Sequence, residues 1–206
     1  MPKDLTDMSL QELWELFPIT FEEHQESWED WYEDERLHLE KILLGIDGLG
    51  GFRINHVGST AIKGICAKPI VDILVELPSC EDLAKCAQRL SADGYIRMSE
   101  SPDRISFNKG YTPQGYDDRV FHIHLRITGD NGEIYFRDYL NRNPKIAKEY
   151  EALKMALWDK HRPDRDAYTE GKTEFVTFHT EKARASHGLQ RGCADHGKGT
   201  TRFEKS

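Results

Sequence analysis

The run PIVDILVEL, residues 69–77, constrains the fold of this chain more than any other feature. It is short, rich in branched apolar residues and apolar on both faces, which predicts a strand in the middle of a sheet. An acid, Asp72, interrupts its apolar middle. An isolated buried carboxylate costs several kcal/mol, so Asp72 requires a cation, hydrogen-bond donors or an open cleft. The sequence therefore predicts a central strand with a polar site at Asp72.

The pattern around this strand predicts a mixture of helices and strands. Apolar residues at helical spacing predict helices over residues 21–44, 80–93, 134–140, 144–161 and 168–185. Strands are predicted over residues 52–57, 95–98, 104–109 and 119–127. Ser9 and Glu12 have the spacing of a capping box, which predicts a helical arm over residues 1–20. Residues 186–206 lack periodicity and are rich in glycine and polar residues, which predicts a flexible tail.

Charge and cysteine usage limit the classes of function. The net charge of −8 opposes non-specific binding to nucleic acid, so a nucleic-acid partner is not expected. The four cysteines lie too far apart for a CxxC site and predict reduced thiols in a cytosolic protein. The first residues do not have the pattern of a signal peptide, and no apolar run approaches transmembrane length. We therefore expect a cytoplasmic protein with no membrane contact.

The turn before the central strand carries groups that suit phosphate. A tight Gly-Ser turn presents backbone N–H groups and hydroxyls to anions, and two lysines follow it. A plain turn is the simpler interpretation of Gly-Ser-Thr alone, but cations and Asp72 follow in the same unit. Together they favour a phosphate site with a divalent metal ion, Mg²⁺ or Mn²⁺, held by the carboxylate. The candidate phosphate-binding residues of this segment are Gly58, Ser59, Thr60, Lys63 and Lys68.

Four segments carry a family resemblance. They read HVGSTAIKGICAKPIVDILVEL, FHIHLRI, FRDYLNRNPKIAKEYEALKMAL and YTEGKTEFV, within residues 21–182. Together they closely resemble the GrpB family, a group assigned to the nucleotidyltransferase superfamily. The resemblance implies an α+β, minimal nucleotidyltransferase-like fold over residues 21–185, with a small mixed β-sheet flanked by helices. It also implies a nucleotide or phosphorylated small molecule as ligand, a divalent metal ion, and transfer of a nucleotidyl group to an unidentified acceptor.

The second acid of the superfamily pattern is missing. That pattern places two acids at alternate positions of the strand, so that both point into the cleft. Here Asp72, the expected catalytic residue, fills the first position and Leu74 the second. Glu76 lies on the same face but about 13 Å from Asp72 at the rise of a strand, too far to share a metal ion easily. This departure leaves open a non-catalytic ligand-binding module of the same fold.

Two histidines can supply further metal ligands. His122 and His124 alternate on the strand over residues 119–127, so their side chains point to one side. In the family architecture this strand lies near Asp72, and a carboxylate with two imidazoles favours Mn²⁺ or Zn²⁺ over Mg²⁺. The alternative is that both histidines only pack and hydrogen-bond. A metal site of this kind also admits a metal-dependent phosphoester hydrolase.

Basic residues in the downstream segments are candidates for the same phosphate pocket. Single lysines and arginines on helices are more often solvated, so their place in matching segments is the reason to include them. His56, just before the turn, is a weaker candidate for a metal ligand than His122 and His124, with support of the turn as the alternative. The downstream candidates are Arg137, Lys154 and Lys172.

Overall fold

A five-stranded mixed sheet forms the centre of the protein. The computed structural model describes residues 3–161 and 164–194. The strands are β1 (Arg53–Val57), β2 (Ile70–Leu77), β3 (Ile96–Ser101), β4 (Arg104–Thr112) and β5 (Gly115–Ile127), in the order β1-β2-β5-β4-β3. Strands β2 and β5 are parallel, and the other neighbours are antiparallel. The predicted central strand is confirmed as β2, with a partner on each side.

Helices flank this sheet. They are α1 (Leu10–Leu16), α2 (Ser27–Leu44), α3 (Cys80–Ala92), α4 (Gly132–Arg142), α5 (Pro144–Lys160), α6 (Arg165–Glu170) and α7 (Thr173–Ala194). The predicted capping box of α1 is present, with Ser9 Oγ accepting from the N–H of Glu12 and the Glu12 carboxylate accepting from the N–H of Ser9. The predicted α+β fold, a small mixed sheet flanked by helices, is confirmed.

The two faces of β2 have different partners. The odd-numbered residues Val71, Ile73 and Val75 are fully buried in a core that includes Trp28 and Leu39 of α2. A second core, built on Ile62, Ile65, Phe136, Leu140, Ala147 and Tyr150, joins the segment after the Gly-Ser turn to helices α4 and α5. Asp72 faces away from the first core, so the even-numbered face of β2 carries the polar groups.

Several predicted boundaries are wrong. Helix α2 begins at Ser27 rather than at Phe21, because Glu22 exchanges two backbone hydrogen bonds of 2.9 Å with Ala67. Strands β4 and β5 extend toward each other and leave a short turn between Thr112 and Gly115. Strand β3 ends at Ser101 rather than at the predicted residue 98.

The C-terminal helical region is longer than predicted. Two helices, α6 and α7, replace the single helix predicted over residues 168–185, and α7 continues to Ala194. Residues 186–194 of the predicted tail are therefore helical, whereas residues 195–206 lie outside the described residues. The division into arm, domain and tail stays a prediction. Within the described ranges, no helix is long and apolar enough to cross a membrane.

Candidate functional site

Gly58 ends strand β1 and places the turn directly behind Asp72. Its φ of 73° lies in the left-handed region that L side chains rarely adopt. A Cβ at this position would lie 2.3 Å from Asp72 Oδ2 and 2.8 Å from Asp72 Cβ. Any side chain here would collide with the acid. The glycine therefore lets the backbone of the turn approach the carboxylate closely.

Asp72 and the two histidines meet across strands β2 and β5. Asp72 is in register with His122, and Leu74 with His124, so the three polar side chains share one face of the sheet. His122 Nδ1 lies 3.3 Å and His124 Nε2 3.1 Å from Asp72 Oδ1. The Asp72 side chain is 26% exposed. The structure thus brings Asp72, His122 and His124 together, and their catalytic and metal-binding roles stay predictions.

Asp72 is held in its charged form. Burial alone raises the pKa of this carboxyl, but hydrogen bonds from His122 and His124 outweigh it and hold the pKa well below its usual range. Because an ionised carboxylate only accepts, the nitrogens facing it, Nδ1 of His122 and Nε2 of His124, carry hydrogens. The acid therefore fixes the orientation of both imidazoles.

The outer nitrogens of the two rings also have partners. The Tyr111 hydroxyl lies 2.9 Å from His122 Nε2, and the Ser106 hydroxyl lies 3.5 Å from His124 Nδ1. A chain of hydrogen bonds thus runs from Tyr111 through His122, Asp72 and His124 to Ser106. This arrangement can orient an imidazole for proton transfer, which is the geometry that general acid–base catalysis requires.

Lysines and tyrosines form the helical side of the site. Tyr150 forms a hydrogen bond with the Ser59 side chain, although burial raises the pKa of its phenol to about 12. Burial lowers the pKa of Lys172, and the nearby Asp72 charge opposes this shift. Lys68 and Lys172 both contact the Tyr168 ring, at 4.6 and 4.4 Å from its centroid. The turn, the acid and two lysines therefore belong to one region.

Lys154 is buried beside these groups. Only 2% of the residue is exposed, and its Nζ donates to the Cys66 carbonyl at 2.5 Å. Burial, together with the charge of Lys172, lowers the pKa of Lys154 to about 8. Lys154 therefore supplies positive charge to the region while its ammonium is tied to the loop between the turn and β2.

Three other candidates have contacts of their own. Thr60 is 3% exposed, its hydroxyl donates to the Ile70 carbonyl at 3.3 Å, and it lies 3.0 Å from His56 Nε2. Arg137 binds Asp138 at 2.7 Å and donates to the His56 carbonyl at 2.6 Å. Lys63 is exposed and, with Thr60, lines a separate groove of about 610 Å³. These contacts support the turn from outside, and a phosphate-binding role for Thr60, Lys63 and Arg137 stays a prediction.

Sequence reasoning missed Tyr111, Ser106 and the contact of Tyr150 with Ser59. Polar residues at alternate positions of β4, Ser106 and Asn108, were the available signal, because these positions pair with His124 and His122. Tyr111 gave no such signal.

A metal-binding role for Asp72, His122 and His124 stays a prediction. Within residues 3–161 and 164–194, no group of three or more His, Cys, Asp or Glu side chains is arranged to hold a metal ion. The Asp72 oxygen that faces the histidines already accepts from both rings. As placed, Asp72, His122 and His124 form a hydrogen-bonded set rather than a coordination shell.

Comparison with known families identifies the chain. The family described as "GrpB protein" matches residues 18–182. The chain belongs to the GrpB family. The relative "Glutamate-rich protein GrpB" of Alkalihalophilus pseudofirmus is 38% identical over 163 residues, covering 74% of this chain and 88% of that protein. The crystal structure of conserved protein GrpB from Enterococcus faecalis has a TM-score of 0.68 at 28% identity, covering 82% of this chain and 99% of that chain.

A second relative is longer than the matched region. The "UPF0157 protein YqkA" of Bacillus subtilis is 32% identical over 164 residues, which cover 78% of this chain but only 46% of that protein. This GrpB chain therefore spans less than half of the length of YqkA. The predicted family membership is confirmed, and the match extends through both the Gly-Ser turn and the strand with the two histidines.

Proposed function

We propose that this GrpB protein binds a nucleotide or another phosphorylated small molecule between the Gly58 turn and helices α5–α7. The observation that carries the proposal is the meeting of a charged Asp72, oriented by two histidines, with a close-packed glycine turn and Lys172. Acids whose pKa is strongly shifted by neighbouring groups cluster at functional sites, and Asp72 is such an acid, packed against the glycine turn.

Each group has a distinct task in this proposal. The backbone N–H groups at the start of the turn bind phosphate oxygens, as turn nests do. Lys172 and Lys68, on either side of Tyr168, neutralise the phosphate charge. Asp72 accepts from both imidazoles and so keeps the two rings in place beside the turn. Lys154 holds the loop after the turn through the Cys66 carbonyl.

A divalent metal ion, Mg²⁺, Mn²⁺ or Zn²⁺, is a separate part of the proposal. An ion would have to replace the hydrogen bonds that both histidines make with Asp72. One carboxylate with two imidazoles suits Mn²⁺ or Zn²⁺ better than Mg²⁺. Leu74, fully buried at the position of the second acid, leaves no place for a second carboxylate ligand, which favours binding over nucleotidyl transfer.

Calorimetric titration tests the proposal. ATP, GTP, CTP and UTP, each alone and with Mg²⁺ or Mn²⁺, are titrated into the wild type, Lys172→Gln and Lys145→Gln. Lys145 is an exposed lysine of α5 and serves as the matched control. We expect at least one nucleotide to bind and Lys172→Gln to weaken it at least about tenfold, which is about 1.4 kcal/mol. Absence of binding at about 5 mM, or equal affinities of the two variants, would refute the proposal.

The histidine chain favours phosphoester hydrolysis as a second candidate function. An imidazole oriented by a carboxylate is a general acid or base, and His122 and His124 are both oriented in this way. A panel of phosphomonoesters and phosphodiesters is assayed for release of phosphate or alcohol, with and without Mn²⁺ or Zn²⁺. Turnover that disappears in both His122→Asn and His124→Asn supports hydrolysis, and silence across the panel rejects it.

A further inference from the structure

A second cavity lies at the other end of strand β2. It has a volume of about 290 Å³ and is enclosed by residues of β1, β2, α4 and α7. Glu76 of β2 forms part of its wall. Glu76 and Asp72 are on the same face of the strand but about 13 Å apart at strand rise. Leu74, fully buried, lies between them. The cavity is therefore separate from the proposed phosphate site.

Glu76 is a buried acid whose hydrogen-bond partners, among the residues the structure describes, are uncharged. Only 2% of the residue is exposed. Its Oε1 accepts from the Gly129 N–H at 3.3 Å and from Asn131 Nδ2 at 3.1 Å. Arg53 and Arg126 are its register partners on the neighbouring strands. Within the described residues, however, no arginine, lysine or histidine forms an ion pair with Glu76.

This environment makes a cationic ligand favourable. A buried carboxylate without a paired cation costs several kcal/mol, and two neutral N–H donors to one oxygen offset only part of that cost. A positively charged group entering the cavity would supply the missing partner. The strand neighbour Arg126 forms no ion pair with Glu76 in the described part of the chain; its Nη1 donates to the Leu125 carbonyl at 3.0 Å, and its Nε lies 3.9 Å from Asp130.

The rim of the cavity carries positive charge, in contrast to the acid in its wall. Arg53 and Arg142 are exposed residues that line it. In the part of the chain that the structure describes, neither guanidinium forms an ion pair or a side-chain hydrogen bond. The other acid of the lining, Asp138, already binds Arg137 at 2.7 Å. The cavity thus combines an acid in its wall with two arginines at its mouth.

We propose that this cavity binds a small zwitterion, a free α-amino acid. Its ammonium group pairs with Glu76, and its carboxylate pairs with Arg53 and Arg142, for which arginine is the preferred partner. The amides of Asn55 and Asn131 line the space between and provide hydrogen bonds to polar groups of the ligand. A volume of about 290 Å³ is at the small end of ligand pockets, which suits an amino acid and excludes a nucleotide.

Calorimetry with each standard L-amino acid tests this assignment. We expect at least one to bind to the wild type, and its amine counterpart without the carboxylate to bind at least about tenfold more weakly. Glu76→Gln keeps the size of the side chain and should weaken binding at least about tenfold. Lys145→Gln, at an exposed position of α5 outside the cavity lining, should leave the affinity unchanged. This set of outcomes does not depend on whether the phosphate site binds nucleotides.

Substitution of an arginine at the rim of the cavity gives a second variant for the same test. Arg142→Gln changes an exposed position at the end of α4, so it should fold even if Glu76→Gln does not. It should weaken amino-acid binding by about three- to tenfold, since one of two cationic partners is lost. The assignment is overturned if no amino acid binds at about 10 mM. It is also overturned if the affinity of the bound amino acid is the same in Arg142→Gln as in the wild type.

Discussion

Replacing Gly58 by alanine measures how tightly the turn is packed against Asp72. Two costs add at this position. With a φ of 73° and a ψ of −169°, Gly58 lies in a region essentially restricted to glycine, which costs an L-residue on the order of 2 kcal/mol. A new Cβ 2.3 Å from Asp72 Oδ2 forces the acid to move, and overpacking of this kind costs about 1–3 kcal/mol. Because both histidines hold Asp72, its side chain has little room to yield. We expect a total loss of about 3–5 kcal/mol in the free energy of unfolding.

Gly64 provides the matched control. It also has a φ of 73°, but a Cβ at this position would meet nothing within 4 Å. Gly64→Ala should therefore cost only the backbone strain, about 1–2 kcal/mol. Urea unfolding at neutral pH gives both values, and the excess loss in Gly58→Ala contains the cost of the collision together with any difference in backbone strain between the two positions. Equal losses in the two variants would mean that Asp72 moves freely, which would refute the packed turn.

Further predictions concern charge, the missing acid and the C-terminal residues. Asp72→Asn should cost about 1.5–3 kcal/mol at neutral pH. The lowered pKa of Asp72 gives the wild type stability that is present above about pH 4 and lost as the pH falls. In urea unfolding, the free energy of unfolding of the variant should therefore fall less steeply at acid pH than that of the wild type. An equally steep fall would contradict the pairing of Asp72 with the histidines. Because the pKa of Lys154 falls from 10.5 to about 8, the wild type should gain roughly 3 kcal/mol as the pH rises from 8 to 10.5. Lys154→Met should lose this gain, and a retained gain would assign it to another group. Leu74→Asp buries a charge at a fully buried position and should cost more than about 3 kcal/mol, against under about 1.5 kcal/mol for Leu74→Met; similar unfolding midpoints would show that Leu74 is not packed. Deletion of residues 195–206, which contain few apolar side chains, should shift the thermal midpoint by less than about 2 °C, and a larger fall would mean that they pack on the domain.

Local patterns gave most of the fold. The apolar run of β2 and the alternation of β5 were each sufficient to identify a strand, because side-chain period and burial agree there. The start of α2 was predicted too early, since acids and aromatic residues continue at helical spacing upstream of Ser27. The helix does not extend upstream of Ser27, because Glu22 pairs with Ala67. This contact joins distant parts of the chain, so no local pattern contains it.

The part of the site that was predictable follows from the alternation of side chains along a strand. Asp72, His122 and His124 share a face, and the sequence places them there once β2 and β5 are neighbours. Tyr111 was not predictable, because the ladder between β4 and β5 is irregular between Lys109 and Tyr111, and Gly110 has a φ of 86°. This irregularity shifts the parity of the strand and brings the phenol to His122. The hydrogen bond from the Thr60 hydroxyl to the Ile70 carbonyl was likewise not predictable, because it depends on tertiary contacts.

The position of a bound phosphate tests the central proposal most directly. A crystal structure is determined with ATP and Mn²⁺, so that the phosphates are seen in the density and the metal ion in its anomalous signal. The account predicts phosphate density in contact with the backbone N–H of Ser59 and with Lys172 Nζ. Any Mn²⁺ at this site should bind Asp72, and the hydrogen bonds of Asp72 with His122 and His124 should then be broken. Phosphate bound only elsewhere on the protein, with the hydrogen bonds of Asp72 unchanged, would contradict the account.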